Sequence, residues 1–155
     1  MKTSTIYGLF FITILQMSCH NESNHKNHSQ QKEQLSKEDS LYKAVIAFHD
    51  EVMPKMGKLA GYQKTVEAKI DSLTKALVNK KDAAGHALKA RYEELLTQLK
   101  AAEKGMNNWM DSFEPEPKLP SKDALEKYWE AEHAKAKKMR DDFKAALDSA
   151  NAGLQ

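Results

Sequence analysis

Apolar residues recur every three or four positions through most of the chain after residue 40, and charged residues occupy the positions between them. This spacing is that of an α-helix with one apolar face. Alternation of threes and fours is typical of the narrow apolar seams of coiled coils. We therefore predict an all-α protein, an antiparallel three-helix bundle with coiled-coil-like seams, whose helices cover about residues 38–79, 83–113 and 121–150.

Two short segments separate the predicted helices. Residues 79–82 are polar and fit a short connection, whereas residues 114–120 contain three prolines, which remove backbone donors and fix φ. Ser121 directly follows the last of these prolines and offers an N-cap for the third helix. Pro54 lies inside the first helix, where it deprives the Asp50 carbonyl of its helical donor. We expect a kink or a fresh helix start at Pro54.

One charged residue interrupts the apolar seam of the third helix. Glu132 takes the seam position between Trp129 and Ala136. Because a buried, unpaired carboxylate is costly, we expect the third helix to be only partly covered at this point. Turn positions further predict that Gly57 of the first helix faces the neighbourhood of Gly105 in the second, which would allow these helices to approach closely.

The N-terminus has a different pattern. Residues 6–15 form an apolar run that is too short to span a bilayer, which needs roughly 20 apolar residues, and that is typical of a secretory signal peptide. The only cysteine, Cys19, follows this run directly after Ser18 and resembles the lipobox of bacterial lipoproteins. We predict a lipoprotein signal peptide over residues 1–18 and a lipidated Cys19. An uncleaved anchor, or an ordinary signal peptide with an incidental cysteine, is the alternative.

A polar segment over residues 19–37 follows the lipidation site and contains almost no apolar residue. Such a segment buries too little surface to offset its ordering entropy, so we predict a flexible tether. Its three histidines, His20, His25 and His28, are loosely spaced and fit a solvated linker better than a metal-binding tract. The expected location is the cell envelope, lipid-anchored to a membrane on its periplasmic side or outer surface, with the bundle over residues 38–155.

Composition and motifs argue against catalysis and against nucleic acid binding. The chain carries 24 basic and 22 acidic residues, and the basic run at residues 135–140 is followed by two aspartates, so it offers no sustained basic patch. We find no phosphate-binding loop, nucleophile elbow or cysteine nucleophile. Glu130 and His133 form a single Glu-x-x-His pair, whereas a di-iron bundle needs two such pairs and two further glutamates. We predict that the protein is not an enzyme.

One layer of the predicted bundle carries distinctive side chains. The register brings Met53 opposite Met110 and Met56 opposite Met106, so that four of the seven methionines meet in one place. Methionine fills irregular core gaps and packs well against aromatic rings, which suits the space beside a proline kink. Thioethers also select Cu(I), so a Cu(I) or Ag(I) site is the alternative, and no other cofactor is expected. Its candidate ligands and neighbours are His49, Met53, Met56, Met106, Trp109 and Met110.

The same layer carries a family resemblance. Residues 49–57 (HDEVMPKMG) and residues 106–113 (M-x-x-W-M-x-x-F) resemble strings found in a group of small bacterial lipoproteins that are often labelled "viral A-type inclusion protein". The resemblance covers about residues 41–113. It implies a membrane-tethered helical protein and transfers no catalytic residue.

Two hypotheses for function follow. The first is a structural or interaction module of the cell envelope, and the second is a periplasmic soft-metal binder. The apolar seam of the third helix is thin, because it is built largely from Ala136, Ala146 and Ala150. A helical protein partner or a homo-oligomer would cover such a seam, so both remain open.

Overall fold

The computed structural model describes residues 36–155, and all regular structure within them is helical. The elements are α1 (Lys37–Val52), a 3₁₀ turn (Met53–Lys55), α2 (Met56–Ala76), α3 (Ala83–Ser112) and α4 (Lys122–Gly153). The all-α fold and the helical bundle are therefore confirmed. Cys19, the predicted signal peptide and nearly all of the predicted tether lie outside the described residues. None of the described helices combines the length and the apolar character needed to cross a membrane.

Helix boundaries follow local chemistry. Ser36, Asp82 and Ser121 each cap a helix by accepting a hydrogen bond of 3.0–3.2 Å from the backbone N–H three residues later. Ser121 was expected in this role. The prediction at Pro54 is confirmed, because the 3₁₀ turn divides the first predicted helix into α1 and α2.

Two predicted helix ends were wrong by about one turn. The first predicted helix ends at Ala76 instead of residue 79, because Asn79 has a left-handed φ of 59° that no α-helix accommodates. The third continues to Gly153 instead of residue 150, and the N–H of Leu154 still bonds to the carbonyl of Ala150.

Helices α2 and α3 form an antiparallel hairpin. The Gln63 side chain donates to Glu103 over 2.9 Å, and Lys100 lies 2.8 Å from Glu67 one turn further along both helices. These cross-helix contacts fix the register of the hairpin.

Helix α4 returns antiparallel to α3 and therefore runs parallel to α1. The rings of Tyr42 and Trp129 lie 5.1 Å apart near the start of α1 and α4, and Lys144 contacts Glu51 over 3.0 Å further along both helices. The three predicted helices thus have an up-down-up arrangement.

The three helices are staggered along the bundle. The last residue of α4, Gly153, lies against Leu95 of α3. On the α2 side, the Tyr62 hydroxyl donates to Asn151 near the same end of α4. Beyond this level, α2 and α3 continue as a two-helix projection to their turn, with no third helix among residues 36–155. We call this part, residues 65–94, the hairpin projection.

One hydrophobic cluster joins the helices. The alanines of α4 lie inside it: Ala136 and Ala150 are fully buried and Ala146 is 4% exposed. Small side chains here let α4 approach its neighbours, so the bundle itself covers this seam. The largest fully buried apolar side chains are Phe143, Leu59, Leu99, Met106, Val45, Val52 and Val66.

The expected close approach at Gly57 and Gly105 was wrong. Both glycines are exposed, and a Cβ atom built at either position meets nothing within 4 Å. Their helix faces point to solvent, so no close helix contact depends on them.

Candidate functional site

The predicted methionine layer is assembled only in part. Met106 is fully buried and Trp109 is 6% exposed, so both belong to the core. Met56 and Met110 are half-buried and pack against that core. Met53 lies in the 3₁₀ turn with 43% of its surface exposed. The break at Pro54 therefore leaves Met53 outside the packed cluster.

His49 borders the layer from α1. Its ring centroid lies 5.8 Å from that of Trp109, and its Nδ1 lies 2.9 Å from Oδ1 of Asp50. An imidazole that donates Nδ1–H to a carboxylate keeps Nε2 available as a ligand, which is the arrangement found at many metal-binding histidines. Within residues 36–155 no group of three or more His, Cys, Asp or Glu side chains could hold a metal ion.

Glu132 differs most from the sequence-based expectation. It is 2% exposed, so the prediction of a partly covered helix at this point was wrong. The indole Nε1–H of Trp109 donates to Oε2 over 3.2 Å, and Lys135 donates to Oε1 over 2.7 Å. Because both oxygens have donors, the core tolerates the carboxylate. The hydrogen bond to Glu132 in turn raises the pKa of Lys135.

An aromatic cluster surrounds Trp129 where the proline-containing linker meets α4. Tyr42 and Tyr128 pack edge-on against Trp129, at centroid distances of 5.1 and 5.0 Å, and Phe113 lies 6.1 Å away. The Tyr128 hydroxyl donates to the Glu114 carbonyl over 2.8 Å and accepts from the Glu114 N–H over 3.2 Å. Burial raises the pKa of Tyr128. This pair of bonds holds the linker against α4.

A cavity of about 350 Å³ opens beside this cluster, and we call it the acidic cavity. Glu38 is 8% exposed, and its Oε1 accepts no hydrogen bond among the described residues. The ammonium of Lys122 lies 3.6 Å from that oxygen. The pKa of Glu38 is lowered despite its burial. The causes are hydrogen bonds from its own backbone N–H and from the Ser36 hydroxyl, together with the nearby positive charge of Lys122. The cavity is lined by Glu38, Asp39, Tyr42, Pro115, Glu116, Leu125 and Trp129.

A larger open groove of about 750 Å³ lies on the hairpin projection. Leu88 is 39% exposed in it, and the Lys69 ammonium lies 5.5 Å from the centroid of the Tyr92 ring. Two lysines and no acidic residue line this groove, which we call the projection groove. It is lined by Lys64, Thr65, Ala68, Lys69, Ser72, Leu73, Leu88 and Tyr92.

Comparisons with protein-family models, with curated proteins and with solved structures found no match. Any functional conclusion therefore depends on how the side chains are arranged in the bundle.

The Glu-x-x-His pair does not converge on one point. Glu130 pairs with Lys37 over 2.6 Å at the surface, whereas the ring of His133 packs 5.2 Å from that of Phe48. The two side chains therefore have separate structural partners.

Sequence reasoning missed the Trp109–Glu132 pair and both cavities. Taking Pro120, rather than the middle of residues 114–120, as the midpoint of the connection between α3 and α4 would place Trp109 level with Glu132. The cavities depend on the stagger of the helices, which the apolar pattern does not contain.

Proposed function

We propose that the chain is a lipid-anchored interaction module of the cell envelope, and that its projection groove receives a helix of another protein. One observation carries the proposal. The groove continues the path of α4 along the hairpin projection, where the described residues supply no third helix.

The wall of the groove formed by α2 continues the face of α2 that contacts α4. Tyr62 bonds to Asn151 of α4, and Thr65 and Lys69 follow it at spacings of three and four. Residues at these spacings share one helix face. Thr65 and Lys69 line the groove, so this wall lies where a continuation of α4 would pass.

The wall of the groove formed by α3 likewise continues the face of α3 that contacts α4. Leu95 lies against Gly153 of α4, and Tyr92 and Leu88 precede it at spacings of three and four. Both side chains line the groove, and Leu88 remains 39% exposed. Two helices with a half-exposed apolar floor between them match the helix-in-groove mode of recognition.

Charge favours an acidic amphipathic helix as the occupant. Lys64 and Lys69 are the charged residues that line the groove. If two copies paired groove to groove, the lysines of both grooves would lie at one interface, which is unfavourable. A partner helix with acidic flanks and an apolar face avoids this repulsion.

Site-specific photo-crosslinking tests the groove in cells that express the full-length chain. A photoreactive residue at Leu88 should give one discrete adduct, whereas the same residue at Leu119, which is 41% exposed in the linker, should give none. Lys64→Glu should weaken the Leu88 adduct, because it reverses a charge at the rim. Mass spectrometry should identify a partner with an acidic amphipathic helix. An adduct of twice the chain mass, or equal adducts at both positions, would contradict the proposal.

The anchor is tested separately by fractionation. Predicted lipidation at Cys19 should place the full-length chain in the membrane fraction, and Cys19→Ser should remove its acyl chains and release it. A chain that stays in the membrane fraction after Cys19→Ser, or lacks lipid by mass spectrometry, would argue against a lipoprotein.

Soft-metal binding is the second candidate function, favoured by the orientation of His49. Its Nδ1 faces Asp50, which leaves Nε2 for a metal beside the Trp109 ring. Cu(I) or Ag(I) should then quench tryptophan emission. Met53→Leu and Met110→Leu should weaken the effect, while Met139→Leu, which lies outside the layer, should not. Emission unchanged by either ion would exclude this site.

A further inference from the structure

We propose that the acidic cavity binds a protonated alkylamine, with one ammonium at Glu38 and a second positive charge at the rim. The cavity lies at the opposite end of the bundle from the projection groove, so the proposal stands independently of the proposed function. The lining chemistry, a carboxylate oxygen that accepts no hydrogen bond and the local charge support it.

The lining combines the two groups that attract organic cations. Three of its seven residues are carboxylates, namely Glu38, Asp39 and Glu116, and none is basic. Tyr42 and Trp129 add two aromatic rings, which attract ammonium groups within about 6 Å of a ring centroid. A volume of about 350 Å³ falls within the usual range for small-molecule sites. The methylene groups of an alkylamine would contact these rings.

One oxygen of the buried Glu38 carboxylate, Oε1, lacks a hydrogen-bond donor among the described residues, and the residue is only 8% exposed. The Lys122 ammonium is 3.6 Å away, which is too long for a hydrogen bond. Leaving a buried acceptor unsatisfied is unfavourable. A ligand N–H at this oxygen would remove that penalty.

The total charge around the cavity remains negative. The N-termini of α1 and α4 meet here, and each contributes roughly half a positive charge. Lys122 adds one full charge, while Lys37 is held outside by Glu126 and Glu130. Against the three carboxylates, these groups leave roughly one net negative charge. The site therefore favours a cation over an anion.

The carboxylates are arranged for an organic amine rather than for a metal ion. Glu38 is buried, whereas Asp39 and Glu116 are exposed at the rim. Among residues 36–155, no three acidic or histidine side chains converge closely enough to hold a metal ion. A flexible chain with ammonium groups at both ends can reach the buried and the rim carboxylates together.

Lys122 is the internal competitor of such a ligand. Its side chain is 80% exposed, and an ion pair that exposed is weak and readily exchanged. An incoming ammonium would take its place beside Glu38. Removing Lys122 should therefore strengthen ligand binding.

Cadaverine is the probe, and 1,5-pentanediol is its uncharged isostere. We would titrate both into the full-length chain in detergent at low salt and follow tryptophan emission, because Trp129 lines the cavity. Cadaverine should give a saturable change and the diol none. Absence of saturation with cadaverine, or an equal response to the diol, overturns the proposal.

Variants locate the site. Glu116→Gln should weaken cadaverine binding about fivefold, and Glu38→Gln about tenfold or more, because its charge is buried. Lys122→Ala should strengthen binding about two- to fivefold. Asp123→Asn is the matched control, since Asp123 lies in the first turn of α4, pairs with Lys127 and does not line the cavity.

The pattern across variants decides the outcome. Equal weakening by Asp123→Asn and Glu116→Gln would show a general charge effect and overturn the proposal. Unchanged binding in Lys122→Ala would do the same. Thermal melts followed by far-ultraviolet circular dichroism report whether each variant folds, and Glu116→Gln and Lys122→Ala test the site even where Glu38→Gln destabilises α1.

Discussion

The buried pair of Trp109 and Glu132 gives the sharpest test of how this bundle is held together. The indole N–H donates to a carboxylate that is 2% exposed, and a hydrogen bond to a charged group contributes about 1.5–3 kcal/mol. The other partner, Lys135, is 60% exposed, so its ion pair contributes no more than about 1 kcal/mol. Most of the free energy that offsets the burial of the Glu132 carboxylate should therefore come from its hydrogen bond with Trp109.

A double-mutant cycle isolates that contribution. Trp109→Phe removes the donor and part of a buried ring, and should lower the free energy of unfolding by about 2–4 kcal/mol. Glu132→Leu leaves the indole N–H without an acceptor and adds apolar surface to the core. The double variant removes both polar groups, so its loss should be smaller than the two single losses combined. We expect a coupling energy of about 1.5–3 kcal/mol.

Urea unfolding followed by circular dichroism at 222 nm measures all four proteins. Glu132→Gln is the matched control, because its amide oxygen still accepts from the indole and should preserve much of the stability. A coupling energy below about 0.5 kcal/mol, the usual limit of additivity, would refute the reasoning. A Glu132→Gln variant that is as unstable as Glu132→Leu, which loses the hydrogen bond altogether, would also refute it.

Three further predictions concern stability and use the same unfolding assay. Gly105→Ala should stabilise by about 0.5–1 kcal/mol, because the new methyl meets open space in a helix interior; Gly85→Ala should not, because its Cβ would lie 2.6 Å from a leucine methyl. Ser121→Ala should destabilise by about 1 kcal/mol through loss of its cap, and Ser121→Gly by only a few tenths; equal losses would contradict the capping role. The hydrogen bond from Lys144 lowers the pKa of the Glu51 carboxyl. The pair therefore stabilises the fold fully at pH values above 4.5, the ordinary pKa of this group, and the stabilisation is lost as the pH falls through the lower pKa of the folded state. Glu51→Gln should therefore flatten the stability profile in this acidic range, and an unchanged profile would contradict the pairing.

The sequence predicted the helices because each carries its own local signals. Apolar spacing marked the buried faces, and Ser121 and Pro54 marked a helix start and an interruption that the structure contains. The predicted helix ends were less accurate. The end of α2 depends on the left-handed backbone of Asn79, and the apolar pattern does not determine which residue takes that conformation. Local chemistry therefore predicted the elements well and their ends less well.

The candidate sites were less predictable because they depend on relative helix positions. From the apolar pattern alone, Glu132 is unfavourable in its seam, because its hydrogen-bond donor Trp109 lies on another helix, 23 residues earlier in the chain. The exposure of Met53 and of Leu88 likewise follows from where neighbouring helices break or end. No periodicity within one helix contains that information.

The parallel alignment of α1 and α4 also has a consequence for folding kinetics. Partners across α1 and α4 are separated by about 90 residues, as in the pair of Lys37 and Glu130, whereas Trp109 and Glu132 are 23 residues apart. Closing the longer loop costs about 1 kcal/mol more chain entropy. We therefore expect α2, α3 and α4 to associate first and α1 to dock last. Val45→Ala should then mainly accelerate unfolding, and Leu99→Ala should also slow refolding, in stopped-flow measurements.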